Sequence, residues 1–325
     1  MTLTKPGHPA NPPIHVVVTI ATYKRPESLS ALLTSLSLQR TAFTHKVVVV
    51  DNDVAASAKE VVSEVAPDAV YLVESRPSIS AARNAGVAEA LRFRPWALAF
   101  IDDDEVADER WLQELVNSMQ QHSADVVTGP VEYVLPGKSA DYKYFQKLER
   151  PSGSDVKYVA TNNALVRAHW FATGPQLRFD DKFGLSGGED LEIFLRLQKL
   201  GGKCTWTQDA LVTSHVQPER LKWIWHMRRE LRNGQLIARL RREFEGYSRL
   251  RLIAEGLRLA TAGAGRGILH ALQGKVSTTV QFQIVAGIGW IRAGLGIYYL
   301  EYSHDRVARS DGVPRNRSFS KQGQV

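Results

Sequence analysis

Residues 97–105, Ala97-Leu98-Ala99-Phe100-Ile101-Asp102-Asp103-Asp104-Glu105, constrain this chain more than any other stretch. A short apolar run with the length of one buried strand ends in four consecutive acids, and that much like charge at a strand end requires compensation. One reading is a divalent cation held by carboxylate oxygens and bridging to a phosphate-bearing ligand, because hard ions such as Mg²⁺ or Mn²⁺ favour oxygen donors. The other is the acidic first turn of a helix expected over Val106–Met119, favourable to the helix dipole. The stretch by itself leaves both open.

Its neighbours narrow the choice. A Val-rich strand is expected over Ile14–Ile20, then Ala21-Thr22-Tyr23-Lys24-Arg25-Pro26 and a helix with Leu29, Leu32, Leu33 and Leu36 at helical spacing. Strands at Lys46–Val50 and Val70–Val73 and helices at Ala56–Val65 and Ser80–Ala90 follow, before the strand that carries the acidic run. Such alternation predicts a mostly parallel sheet with helices on its faces, whose ligands bind beyond the carboxyl ends of the strands. Thr22, Asp51 and Asp102 to Asp104 all fall at those ends, which points to a nucleotide site. A dehydrogenase would also place an acid after its second strand. However, Ala21–Glu27 contains no glycine, so the close backbone approach to a pyrophosphate is not encoded, and no Gly-rich loop with Lys-Ser/Thr exists for a nucleoside triphosphatase. Phosphates held by a metal fit better.

Further on, strands are expected at Asp125–Val131, Glu132–Leu135 and Val159–Val166, the last holding Thr161-Asn162-Asn163, with a polar stretch from Pro136 to Asp155 between them. Gly187-Gly188-Glu189-Asp190 opens a helix with Leu191, Phe194 and Leu195 on one face and Gly201-Gly202 at its end. Glu189 or Asp190 reads either as a helix cap or as a carboxylate presented at a helix N-terminus. His215 reads as a metal ligand, a phosphate contact or a satisfied structural histidine.

The charge of +7 is unevenly spread. From Glu219 onward 19 Lys+Arg face 8 Asp+Glu, against 22 and 26 in residues 1–218. A neutral-to-acidic body with a basic tail argues against nucleic acid and for an anionic membrane surface. Within the tail, Trp223, Trp225, Arg228, Arg229, Arg232, Arg239, Arg241 and Arg242 lie on one or two helices expected over Arg220–Tyr247, with Gly234 as a candidate break. Packing of that segment on the body, its arginines solvated, is the competing and compatible reading. Val280–Leu300 is the most hydrophobic window, but Gln281, Gln283 and Arg292 interrupt it, so a re-entrant, interfacial or packing helix is expected rather than a span. One cysteine, Cys204, and no secretory pattern in residues 1–20 set a reducing, cytoplasmic expectation.

Five motifs taken together resemble the family 2 glycosyltransferases of bacterial polysaccharide assembly, particularly the branch that builds succinoglycan-type exopolysaccharide. They are Thr19–Pro26, Val49-Val50-Asp51-Asn52-Asp53, Ile79–Gly86, Phe100–Glu105 and Gly187-Gly188-Glu189-Asp190, in the family's order across roughly residues 14–218. The resemblance implies a GT-A fold, an α/β mixed sheet flanked by helices. It also implies inverting transfer of a hexosyl group from a nucleoside-diphosphate sugar, most often a UDP-sugar, with Mg²⁺ or Mn²⁺.

Carried over, Thr22 and Asp51 meet the nucleoside, Arg83 lies beside the base or diphosphate, and Asp102 and Asp104 form an Asp-x-Asp pair. Asp104 is then the direct metal ligand, Asp102 faces the ribose with a share in the metal, Asp103 lies in the same nucleotide site, and Asp190 is the general base. The acceptor implied is a polyprenyl-diphosphate-linked saccharide at the inner face of the cytoplasmic membrane. The expected divisions are a disordered leader (1–13), a GT-A domain (14–218), a helical membrane-associating extension (219–304) and a disordered tail (305–325). A metal-dependent nucleotidyltransferase and a non-catalytic sugar-nucleotide-binding scaffold are the alternatives; the first lacks a triphosphate cradle near the first strand, and the second leaves the acidic run and Asp190 without a task.

Overall fold

β1 (His15–Thr22) is the central strand, and its valines are enclosed on both faces: Val16, Val17 and Val18 are all fully buried. In the computed structural model, which describes residues 15–136, 144–273 and 278–299, successive side chains of β1 feed opposite cores, as strand pleating requires. Val16, Val18 and Ile20 meet α1 (Pro26–Ser37) and α4 (Trp111–Gln121). Val17 joins the core below α3 (Ile79–Leu91) with Phe171, Ile193 and Phe194. The leader, the tail and part of the 136–155 stretch lie outside the described residues.

β1 is flanked by β2 (Thr44–Asp51) and β4 (Ala97–Ile101), both parallel to it. β3 (Val70–Val73), preceded by α2 (Lys59–Val65), extends the parallel side. Beyond β4 the sheet turns antiparallel through β8 (Asn163–Arg167) and then takes in β6 (Val126–Thr128) and β9 (Cys204–Trp206), giving the order β3-β2-β1-β4-β8-β6-β9. The register sets Thr22 opposite Asp51 and Thr19 opposite Phe100, so Thr22 and the acidic run reach the same edge. A second sheet of β5 (Glu105–Ala107), β7 (Val131–Val134) and β10 (Val212–His215) stands beside that edge. α5 (His169–Ala172) and α6 (Glu189–Lys199) complete the body.

Two expectations are corrected here. The helix after the acidic run begins at Trp111 rather than Val106, because Glu105–Ala107 pairs with β10 and the turn into α4 is made by Asp108, whose carboxylate accepts from the Arg110 amide at 3.0 Å. The acidic run is therefore not a helix cap. Likewise, the strand expected from Val159 starts only at Asn163.

After a short 3₁₀ turn at Pro218–Leu221 come α7 (Trp223–Glu245), α8 (Arg249–Leu272) and α9 (Thr278–Gly294). α7 runs unbroken through Gly234, which is a contact point rather than a break. α9 lies against both α7 and α8 at near-backbone distance. A Cβ on Gly234 would sit 2.3 Å from the Ala286 carbonyl oxygen, and one on Gly287 would sit 2.6 Å from that of Gly256. The apolar window thus packs between helices, and no helix among the described residues is long and apolar enough to cross a membrane.

Gly234→Ala separates packing from propensity. Alanine favours a helix interior by about 1 kcal/mol over glycine, whereas overpacking costs about 1–3 kcal/mol. The expected outcome is a lower Tm in thermal denaturation; a higher Tm would show that α9 does not seat on Gly234.

Candidate active site

A cleft of about 1290 Å³ opens where the carboxyl ends of β1 and β4, the head of α6 and the inner side of α7 converge. Its floor is the acidic run. Asp103 is buried and accepts from the Thr22 hydroxyl at 2.7 Å and from the Arg25 guanidinium at 3.0 Å. Asp104 accepts from Arg220 at 3.0 Å and from Arg25 at 3.4 Å. Glu105 turns inward, where Asn162 donates to it at 3.0 Å, and burial followed by the charge of Asp102 holds its pKa well above the ordinary carboxylate value.

Arg83, on α3, joins the floor to the head of α6. One guanidinium nitrogen pairs directly with Glu189 and the other donates to Asp102 at 3.1 Å. Asp102 faces the cleft with 42% of its side chain exposed, yet it lies between the walls among other acids. Loss of hydration pushes its pKa up to about 6; Arg83 opposes this, and Asp104, Asp103 and Asp190 add to it. Burial likewise pushes Glu189 up to about 7, against the pull of Arg83.

The cap of α6 is Gly188, at φ 94°, and neither acid fills that role. This left-handed geometry favours glycine, and a Cβ there would strike Leu236 of α7. Of the two acids that follow, Glu189 is buried against Arg83, whereas Asp190 lines the cleft and, among the described residues, accepts from the adjacent Leu191 amide at 2.8 Å. Glu189 thus fixes the head of the helix, and Asp190 is the carboxylate that lines the cleft.

The structure brings Thr22, Arg83, Asp102, Asp103, Asp104 and Asp190 to one cleft. It does not bring Asp51 there. Asp51 is fully buried, its oxygens taken by the Asp53 and Ala58 amides and the Tyr71 hydroxyl at 2.7–3.0 Å, and Asn52 lines the cleft in its stead. His215 is exposed, and strand alternation puts Ser214, rather than His215, on the cleft side of β10. Arg228, Arg229 and Arg232, expected on a lipid-facing helix, line the cleft from α7. Sequence reasoning missed Arg25 and Arg220 as partners of the acidic run. Arg25 sits inside a recognisable motif, while nothing near Arg220 signals its partner 116 residues away.

Among the described residues no group of three or more His, Cys, Asp and Glu side chains is placed to hold a metal ion. Asp102 and Asp104, with 42% and 21% of their side chains exposed, offer oxygen donors only. That set fits Mg²⁺ or Mn²⁺ in the manner of ions that take one or two carboxylates from protein and complete their shell with phosphate oxygens and water.

Residues 17–175 match the description Glycosyl transferase family 2. The chain is also 30% identical over 271 residues, 79% of its length and 83% of the relative's, to the succinoglycan biosynthesis protein ExoM of Rhizobium meliloti (strain 1021). The chain belongs to glycosyl transferase family 2. It is a glycosyltransferase, and its mixed sheet is the GT-A fold. Solved structures agree on the fold. One is S. aureus TarS 1-349 in complex with UDP-GlcNAc, at TM-score 0.50 and 16% identity, covering 88% of this chain and 93% of that one. Another is GalNAc-T7 with UDP, GalNAc and Mn²⁺, at TM-score 0.51 and 13% identity, covering 63% and 44%. Of the longer TarS chain the present one spans 55%.

Glu189 gives a pH test. With its folded pKa raised to about 7 from an ordinary 4.5, the folded state holds the extra proton between those values, so this group's contribution to stability falls as pH rises through that window. Glu189→Gln cannot titrate. Its Tm relative to wild type is expected to rise from pH 5 to pH 8, measured by calorimetry at both; a constant difference would show that Glu189 stays ionised throughout.

Proposed function

We propose that this glycosyltransferase moves a sugar, with inversion, from a UDP-sugar or other nucleoside-diphosphate sugar to a lipid-linked saccharide in exopolysaccharide assembly. The observation that carries the reading is the pairing of Asp190 with the acidic run across one cleft: a half-buried carboxylate at a helix head faces a cation-demanding floor. The similarity to a succinoglycan biosynthesis protein supports the pathway class, and the solved neighbours in complex with UDP-GlcNAc and with UDP, GalNAc and Mn²⁺ support the donor and the ion.

In this reading Asp190 accepts the proton of the acceptor hydroxyl as its oxygen attacks the anomeric carbon. The bond from that carbon to the diphosphate oxygen breaks, and its electron pair leaves on the nucleoside diphosphate. Asp104 and Asp102 would hold the divalent ion, which when bound supplies positive charge against the departing diphosphate. Arg83 keeps Asp102 and the head of α6 in fixed relation, so that base and floor stay aligned. Thr22 and Arg25 fix Asp103 and with it the loop that presents its two neighbours.

The membrane reading moves from α7 to α8. Leu250, Leu257, Ile268 and Leu272 are 79%, 51%, 64% and 81% exposed and share one helical face. Exposed Arg251, Arg258 and Arg266 lie along the same helix. An apolar stripe accompanied by arginines suits an anionic lipid surface, the inner face of the cytoplasmic membrane.

Asp190→Asn keeps shape and removes the proton acceptor. Transfer is expected to fall by roughly 10²-fold or more, while UDP affinity in calorimetric titration stays unchanged. Near wild-type turnover by the folded variant would sink the assignment of the base.

A Leu257→Glu, Ile268→Glu double variant tests the surface. Wild type is expected to co-float with phosphatidylglycerol vesicles, and the double variant to stay behind. Equal flotation of the two would remove α8 from the membrane reading.

A further inference from the structure

Arginines of α7 and α9 line the same cleft as the acidic run, and they differ in kind from those that touch it. Arg25, Arg83 and Arg220 each donate to a floor carboxylate, so these three are already engaged. Arg229 and Arg292 have no such arrangement: the Nε atom of each is buried and lacks a hydrogen-bond partner among the described residues. A buried, unmet N–H on a cation is costly, since desolvation is suffered without return.

The surroundings of Arg229 deepen the mismatch. Its guanidinium lies 5.0 Å from the Tyr144 ring and 5.2 Å from the Trp225 ring, which hold the group in place but offer no oxygen acceptor. Burial lowers its pKa, and so do the neighbouring charges of Arg232 and Arg220. The adjacent acid, Glu230, is buried and bonds to the Tyr144 hydroxyl. Two half-buried guanidinium groups on separate helices, each with a buried, unmet Nε–H and both lining one cleft, suit an anion carrying several oxygens. Phosphate groups match the guanidinium fork bidentately.

We propose that Arg229 and Arg292, with Arg228 and Arg232 beside them, form a second anion subsite in the cleft that takes the diphosphate of the acceptor, the group that joins its saccharide to the lipid. The inference rests on the reading of the acceptor as lipid-linked. It divides the cleft by charge: the donor's diphosphate goes to the acidic run with its cation, and the acceptor's diphosphate goes to the arginines. A phosphate-free saccharide would miss this contact.

The test uses the full chain, Mn²⁺, and farnesyl diphosphate as probe, with farnesol as its phosphate-free counterpart. Calorimetric titration of wild type saturated with UDP is expected to show farnesyl diphosphate binding and at least tenfold weaker binding of farnesol. Arg229→Gln and Arg292→Gln are each expected to weaken the diphosphate probe at least tenfold while UDP affinity stays within twofold, with Arg292→Lys recovering part of the loss. Displacement of the probe by UDP in wild type, or loss of UDP affinity in the variants, would assign these arginines to the donor and overturn the proposal. Equal binding of farnesol would overturn it as well. The wild-type titrations decide even if a variant does not fold. Failure of wild type to bind UDP would count against the donor reading alone, and the probe titrated without nucleotide then decides the subsite.

Discussion

Three arginines from distant parts of the chain hold the acidic run at the end of β4. Arg25 follows β1, Arg83 sits on α3 and Arg220 precedes α7, and together they reach Asp102, Asp103 and Asp104. Without them three adjacent carboxylates in a partly dry cleft would repel one another and be driven to neutral forms. The compensation is uneven. Asp103 is sealed by Thr22 and Arg25, while Asp102 and Asp104 retain exposed oxygens. One member anchors the loop, and the two beside it keep oxygens open to the cleft.

Arg83 adds mechanical coupling to that electrostatic task. It bonds on one side to the floor and on the other to Glu189 at the head of α6, so the helix that carries Asp190 is indexed to the strand that carries the acidic run. The adjacent acids of α6 are thereby given different fates. Glu189 is spent on position, and Asp190 is left facing the cleft.

What the sequence conveys and what it hides divide along range. The alternation of β1, α1, β2 and their successors is legible because each element carries its own periodicity, and the acidic run is legible because charge density is a local property. Motif order made Thr22, Arg83, Asp102 and Asp190 recognisable. Asp51 carries an equally familiar pattern, yet its oxygens close a turn onto the Asp53 and Ala58 amides, a local use that leaves the motif looking the same. The α7 arginines are ambiguous for a related reason. A basic, tryptophan-bearing helix has one composition whether it faces lipid or a cleft, and it is the packing of α9 against Gly234 and of Leu236 on the head of α6 that accompanies Arg228, Arg229 and Arg232 lining the cleft.

The bond from Arg220 to Asp104 spans 116 residues, and Arg292 reaches the same cleft from α9, near the end of the described chain. A chain emerging from the ribosome folds from its N-terminus, and distant contacts form only after the intervening segments have been ordered. The half of the cleft built on β1 and β4 is therefore assembled early, while its far wall waits for the last helices to dock. Growing chains pass through a stage in which the acidic loop is present but one of its arginines is not. A chain interrupted before the turn that precedes α7 would have the acidic floor without Arg220, and one interrupted before α9 would have the cleft without Arg292.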